Sequence, residues 1–187
     1  MPNELIIEQC APTLAGLKAA NLFSYRYEDV QDVISGLREL NNTLSYKGIR
    51  FIPIQFKNDR ALIFCYRKEM LKEVLSDSES VKMLEELGYS NGSLASFISQ
   101  LRTRLLGESF PHEIGLFLGY PCEDVRAFMR SSRDGCQYVG TWKAYGNVER
   151  AKSAHERFRK CTKVYKRCYE NGASLEKLTI SSKGAGR

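Results

Sequence analysis

Residues 109–129, SFPHEIGLFLGYPCEDVRAFM, constrain the fold more than any other stretch of this chain. Pro111 can occupy the first position of a short helix, because the N–H that proline lacks has no intrahelical partner there. Gly119 can end that helix in the left-handed conformation, which a residue without a Cβ adopts at little cost. Pro121 can begin a second helix with two carboxylates in its first turn, where the helix dipole stabilises negative charge. The stretch therefore predicts two helices joined by a tight Gly-Tyr-Pro corner.

Hydrophobic periodicity and turn residues predict the other elements. Residues 4–23 are interpreted as a short apolar lead followed by a helix that begins near Pro12. Two β-branched and aromatic runs predict a β-hairpin over 50–66, in which Pro53 puts the first strand at an edge or a bulge. The remaining predictions are a strand at 137–145 and helices at 30–44, 68–75, 79–87, 93–106 and 147–171.

These elements predict an α+β fold. We expect a small three-stranded sheet, antiparallel or mixed, which contains the hairpin and strand 137–145 and is covered by about seven helices. The helices include the Gly-Tyr-Pro corner and the long C-terminal helix. At 187 residues, we expect a single domain over 1–180 and a disordered tail at 181–187.

Composition bounds the class of protein. A hydrophobic fraction of 43% is ordinary for a globular domain, and no apolar run approaches the roughly 20 residues of a membrane span. The N-terminus lacks the basic region of a secretory signal, so we expect a cytoplasmic protein with no membrane partner. Six cysteines without a C-x-x-C pair are expected to be free thiols, and a structural metal is not favoured.

The basic C-terminal third gives one functional alternative. Residues 126–187 hold 15 Lys and Arg against 5 Asp and Glu. The predicted long helix would present much of this charge to nucleic acid, a phosphate-bearing ligand or an acidic protein, although a solvated helix face is the favoured explanation. A protein-interaction module would use the four lysines Lys152, Lys160, Lys163 and Lys166.

A second alternative is nucleic-acid binding through residues 112–130. Gly115, Gly119 and Val125 match the spacing of a helix-turn-helix, which needs a small residue at the helix contact, a turn glycine and an apolar lock. The second helix, however, begins with Glu123 and Asp124, at the end that would approach phosphates. Nucleic acid is therefore the less favoured partner.

Several stretches resemble the bacterial family catalogued as domain of unknown function 3793. They are CAPTLAGLKAANLF, FPHEIGLFLGYPCEDVRAFM, YVGTWKAYG and the helix that carries Phe158, Lys160 and Cys161. The resemblance spans nearly the whole chain and implies a stand-alone cytoplasmic protein of anaerobic bacteria, without implying a reaction. It places eight residues at motif positions: Cys10, Lys18, His112, Glu113, Gly119, Tyr120, Trp142 and Lys143.

The favoured hypothesis is a pocket for a small molecule or a metal-bearing cofactor. Cys10 precedes the helix predicted at Pro12, whose free N–H groups would stabilise a thiolate, although a buried structural cysteine is the favoured interpretation of Cys10 alone. His112 lies in the first turn of its helix, and a Cys10–His112 pair could act as nucleophile and base or ligate a metal or haem-like group. The ligand-binding candidates are Lys18, Glu113, Tyr120, Trp142, Lys143 and Tyr145. The ligand, the metal, the cofactor and the reaction stay open.

Overall fold

The structure is a computed structural model, and it describes residues 1–107 and 109–181. Within them the chain forms nine α-helices and five β-strands, which confirms the α+β prediction. The helices are α1 (Asn3–Leu14), α2 (Val30–Leu44), α3 (Lys68–Ser76), α4 (Ser78–Glu86), α5 (Leu94–Leu105), α6 (Ile114–Phe117), α7 (Cys122–Arg130), α8 (Val148–Glu170) and α9 (Leu175–Leu178). The strands are β1 (Ala20–Arg26), β2 (Ile49–Lys57), β3 (Arg60–Arg67), β4 (Tyr138–Val139) and β5 (Lys143–Ala144). The tail predicted at 181–187 lies outside the described residues, apart from Ser181.

The chain divides into two compact units. Unit 1 comprises residues 1–70 and the chain from Lys160 onward, and unit 2 comprises residues 71–159. This division does not test the single domain expected over 1–180, which stays a prediction. Within the described part of the chain, no helix is both long and apolar enough to cross a membrane. The cytoplasmic location expected from the sequence also stays a prediction.

Unit 1 contains a three-stranded antiparallel sheet in the order β1-β3-β2. The predicted hairpin is confirmed as β2 and β3, with Phe51 opposite Cys65. Strand β2 lies at the edge of the sheet, and its register shifts between Pro53 and Gln55. The sheet edge and the register shift both suit Pro53, because a proline cannot donate a hydrogen bond to a neighbouring strand.

The N-terminal prediction was wrong in its boundaries. The first helix begins at Asn3, so Pro12 lies inside α1 rather than at its start, and the missed strand β1 follows. Ile6, Ile7 and Leu14 are fully or almost fully buried, and this apolar face fixes the helix earlier in the chain. Pro12 removes one hydrogen bond from the last turn, and the helix ends two residues later.

The core of unit 1 lies between α1, α2 and the sheet. It includes Ile6, Leu14, Phe23, Val33, Leu37, Phe51 and Ile63, and Tyr165 and Tyr169 of α8 pack against it. Helix α2 presents its apolar stripe to this core, as the periodicity of 30–44 predicted. The helix predicted over 147–171 is confirmed as α8.

Unit 2 contains the predicted corner. The hydrogen bonds at its centre run from the Gly119 N–H to the Leu116 carbonyl and from the Tyr120 N–H to the Gly115 carbonyl. This pair of bonds is the Schellman motif, and Gly119 has a φ of 77°, as the left-handed cap requires. The first helix is shorter than predicted, because Pro111 opens a turn and α6 begins only at Ile114.

Residues 137–145 do not join the sheet of unit 1, which corrects the prediction of a single three-stranded sheet. They fold back on themselves as β4 and β5, with Tyr138 opposite Ala144. The Gly140 N–H donates to the Trp142 carbonyl, so the stretch turns at its centre. The turn leaves two strands of two residues each and brings Trp142 to the tip of a small hairpin.

Candidate aromatic pocket in unit 2

Unit 2 contains a pocket of about 230 Å³ between the helical corner and the Trp142 hairpin. Four of its walls are aromatic: Phe110, Tyr120, Phe128 and Trp142. Its aliphatic floor is Ile114, Leu118 and Val125, and its polar residues are His112, Asp124 and Lys143. The pocket therefore lies between the continuous stretch 110–128 and a hairpin that begins some ten residues further along the chain.

Asp124 holds the hairpin against α7. Its Oδ2 accepts a hydrogen bond of 2.7 Å from the Trp142 indole N–H. Its Oδ1 accepts from the backbone N–H groups of Tyr145, at 2.7 Å, and Gly146, at 3.0 Å. A carboxylate that is only 2% exposed needs such partners, because burying it without them would cost several kcal/mol. All three bonds fix the position of Trp142.

The indole of Trp142 stacks on Tyr120. Their ring centroids are 5.2 Å apart and the ring planes are inclined by 26°. Burial raises the pKa of Tyr120 to about 12, so its hydroxyl stays protonated at neutral pH. Tyr120 can approach α6 closely because Gly115 has no side chain, and a Cβ there would lie 2.8 Å from Val125 Cγ2. This glycine lets α6 and α7 meet and places Tyr120 in the wall.

The mouth of the pocket carries two cationic or potentially cationic side chains. His112 is exposed, and its ring contacts the edge of Phe128 with centroids 5.0 Å apart. Lys143 Nζ lies 5.6 Å from the centroid of the same Phe128 ring and donates to the Ser132 carbonyl at 2.8 Å. Phe110 is 49% exposed and contacts the other side of His112, at 5.9 Å between ring centroids.

Glu113 does not line this pocket, although it was predicted as a ligand-binding residue. It is buried beneath Arg104, whose Nε donates to its carboxylate, and it accepts a 3.1 Å bond from the Tyr89 hydroxyl. Burial, followed by the charge of Glu113, raises the pKa of Tyr89 far above its ordinary value. Glu113 faces a second, more polar pocket of about 440 Å³ that shares Phe110 and His112 with the first.

Cys10 and Lys18 belong to unit 1, and the local environment predicted for Cys10 was wrong. Cys10 is the eighth residue of α1 and is fully buried, so no free N–H groups of a helix start surround its thiol. It interacts with Cys65, and burial raises the pKa of the Cys65 thiol well above its ordinary value. Burial also lowers the pKa of Lys18 to about 8, which the two cysteines partly oppose.

The structure thus brings four of the predicted site residues together: His112, Tyr120, Trp142 and Lys143. Cys10 and His112 lie in different units, and their pairing stays a prediction. Tyr145 does not line the pocket; its backbone binds Asp124, and its buried hydroxyl has no hydrogen-bond partner among the described residues.

Asp124 and Phe128 are pocket residues that sequence reasoning missed. Asp124 was considered for the helix dipole and for the helix-turn-helix but not for a pocket, yet it lies one turn before Phe128 on the same face of α7. That spacing was the available signal. Within the described ranges no group of three His, Cys, Asp or Glu is placed to hold a metal ion.

The first turn of α7 contacts other residues of unit 2. Asp124 accepts a hydrogen bond from Gly146, and Glu123 also lies close to this glycine. A Cβ built on Gly146 would be 3.0 Å from Glu123 Oε1. In a helix-turn-helix this end of the second helix enters the major groove. The contact between Gly115 and Val125 fits the predicted corner, but the covered end of α7 gives no support to nucleic-acid binding.

Comparison with known proteins gives one match. The family described as Protein of unknown function (DUF3793) matches residues 6–179. No curated protein and no solved structure matches the chain.

Proposed function

Because the chain belongs to the DUF3793 family, which assigns no reaction, we propose from the geometry of unit 2 that the protein binds a small organic molecule in the pocket beside Trp142. The bound part of the ligand is a compact apolar group, most favourably one aromatic ring. The residues that line the pocket in the described chain include an imidazole but no thiol. The proposal is therefore one of binding rather than of thiol chemistry.

The size and the lining of the pocket support this ligand class. A cavity of about 150 Å³ lined by apolar side chains holds a benzene molecule, so 230 Å³ accommodates one ring and a short substituent. Aromatic walls favour an aromatic guest, because offset-stacked and edge contacts add to the burial of apolar area. The pocket is small beside typical drug-binding sites of roughly 300–1,000 Å³, which excludes a large cofactor from the interior of the pocket.

The observation that carries the proposal is the use made of Asp124. A buried carboxylate contributes little to packing, and its three acceptor bonds are all directed to the hairpin that forms one wall. A wall that is fixed before the ligand arrives loses less entropy on binding, and this preorganisation increases affinity. The Schellman cap at Gly119 places Tyr120, whose ring supports Trp142 by stacking on it.

Trp142 is the only tryptophan of the chain, so its fluorescence reports on this pocket alone. Titration with the neutral probe 3-phenylpropan-1-ol should change the emission saturably. At about 0.3 kcal/mol or more for each non-hydrogen atom, a ligand of this size has a Kd in the millimolar range or tighter. A far-UV circular dichroism spectrum recorded alongside should stay unchanged.

The same substitution, Leu to Phe, made at two positions tests where the probe binds. Leu118→Phe places additional atoms in the pocket and should weaken binding of the probe at least about tenfold, since the ring occupies the space of the guest. Leu106→Phe is the matched control, because Leu106 is 77% exposed and does not line the pocket. Equal binding by the two variants, or no saturable response in the wild type, would refute the proposal.

A further inference from the structure

We infer that the natural ligand is a small, singly charged organic acid, whose carboxylate is bound between Lys143 and His112 while its apolar group fills the pocket. This inference rests on the proposed function and adds the charge of the ligand. It concerns the mouth of the pocket, where the two polar side chains contact the same Phe128 ring.

The two groups are held against one ring. His112 meets the edge of Phe128 with an interplanar angle of 78°, and Lys143 Nζ lies over the ring of the same residue. A ligand that inserts its apolar part beside Phe128 therefore leaves its polar end near both side chains. A carboxylate has two oxygens and can accept one hydrogen bond from each of them.

Both side chains have unused donors. Lys143 Nζ donates to the Ser132 carbonyl, and its two remaining N–H groups have no carboxylate partner in the part of the chain that the structure describes. The His112 ring makes only aromatic contacts with Phe110 and Phe128 among the described residues. A hydrogen bond with a charged partner is roughly twice as strong as a neutral one, so an anion gains more here than an alcohol does.

The neighbouring carboxylates already have hydrogen-bond partners. Arg104 pairs with Glu113, and both Asp124 oxygens accept hydrogen bonds from the hairpin. Lys143 is the one lining residue of the aromatic pocket with a fixed positive charge, and it forms no ion pair among the described residues. One positive charge matches a monoanion. A phosphate carries nearly two negative charges at pH 7, which is more than the single fixed positive charge in the lining of this pocket.

Three probes that share a phenyl ring on a three-carbon chain separate these ligand classes. Trp142 fluorescence would be titrated with 3-phenylpropanoate, 3-phenylpropan-1-ol and 3-phenylpropyl phosphate at the same pH and ionic strength. The acid should bind about tenfold more tightly than the alcohol, which corresponds to one charge-assisted hydrogen-bonded pair at a partly exposed site. The phosphate should bind no more tightly than the acid.

Lys143→Met removes the charge while keeping an apolar chain of similar length. It should abolish the preference for the acid over the alcohol. Lys152→Met is the matched control, because Lys152 is an exposed lysine of the same unit that pairs with Glu149 and does not line the pocket. This variant should keep the preference. His112→Phe keeps a ring against Phe128 and should reduce acid binding by about threefold, the effect of one hydrogen bond.

The outcomes distinguish the two proposals. If no probe binds, the proposed function fails and the inference fails with it. If the alcohol binds and the acid gains nothing, only the inference is refuted. Tighter binding of the phosphate, or loss of the acid preference in Lys152→Met, would also overturn it. Should Lys143→Met fail to fold, the comparison of acid and alcohol in the wild type still decides.

Discussion

Replacing Asp124 with asparagine should loosen one wall of the pocket without changing its shape. The asparagine oxygen can still accept from the Tyr145 and Gly146 N–H groups, but its NH₂ group then faces the Trp142 indole N–H. Two donors cannot bond to each other, so the indole bond is lost. The two remaining bonds become neutral ones, which are weaker than bonds to a carboxylate.

The expected cost follows from these three bonds. A bond to a charged group contributes about 1.5–3 kcal/mol and a neutral one about 0.5–1.5 kcal/mol. Losing one charged bond and weakening two others gives about 3 kcal/mol, after allowance for water at the half-buried indole. For a chain of this length, that value corresponds to a fall in Tm of about 6–12 °C.

Urea unfolding followed by Trp142 fluorescence measures this free energy in unit 2. Glu123→Gln is the matched control, since it removes a carboxylate from the same first turn of α7 but breaks none of the hairpin bonds. We expect that variant to lose less than about 1 kcal/mol, the range of a helix-dipole interaction. If both variants unfold at the same urea concentration, Asp124 does not hold the hairpin and the argument for a preorganised wall fails.

Four further substitutions test the rest of the structure. Gly119→Val should lower the free energy of unfolding by about 1–3 kcal/mol, because a β-branched residue must adopt a φ of 77°; wild-type melting would contradict the cap. Arg104→Met should cost about 2–3 kcal/mol and Glu113→Gln clearly less, because only the first leaves a buried carboxylate without its cation; the 39% exposure of Arg104 keeps the value below that of a fully buried pair. Lys18→Met addresses the buried amine of unit 1. Since the pKa of Lys18 is about 8 when folded and 10.5 ordinarily, the unfolded chain binds more protons between these values, and stability from this group rises with pH by about 3 kcal/mol in all. Urea unfolding midpoints of wild type and Lys18→Met would be measured in reductant at pH 7.5 and pH 10.5. The midpoint of the wild type should rise relative to that of the variant at the higher pH. An equal difference between the two midpoints at both pH values would contradict the lowered pKa.

Local signals in the sequence were sufficient for the elements that local interactions determine. The corner follows from Gly119 and Pro121, and helix α2 follows from its apolar stripe. The hairpin over 50–66 was also predictable, including the bulge beside Pro53. In each case the residue pattern and the required backbone conformation agree, so no distant contact is needed to choose the structure.

The errors occur where tertiary contacts decide. Strand β1 has only seven residues, and its pairing with β3 determines its conformation. Pro12 is typical of a helix start, but packing of Ile6 and Ile7 begins α1 nine residues earlier. The stretch 137–145 has the composition of one strand. The bonds to Asp124, which lies more than ten residues before it, fix it as a hairpin instead.

The aromatic pocket was predictable only in part. Tyr120, Trp142, Lys143 and His112 were named as candidate site residues, and they do line one pocket. Their role in binding stays a prediction. The proposed participation of Cys10 rested on a helix start that the structure moves from Pro12 to Asn3, so its chemical basis was lost with that boundary.

The most direct test of ligand binding is the position of the single Trp142 indole resonance in a ¹H–¹⁵N correlation spectrum during titration with 3-phenylpropan-1-ol. Only one indole N–H signal is expected, because the chain has one tryptophan. Binding beside Trp142 predicts a saturable shift of that signal with the Kd found by fluorescence. Amides of strands β2 and β3 should keep their positions. A folded spectrum in which the indole signal stays fixed while the probe shifts amides of unit 1 would contradict the proposed site.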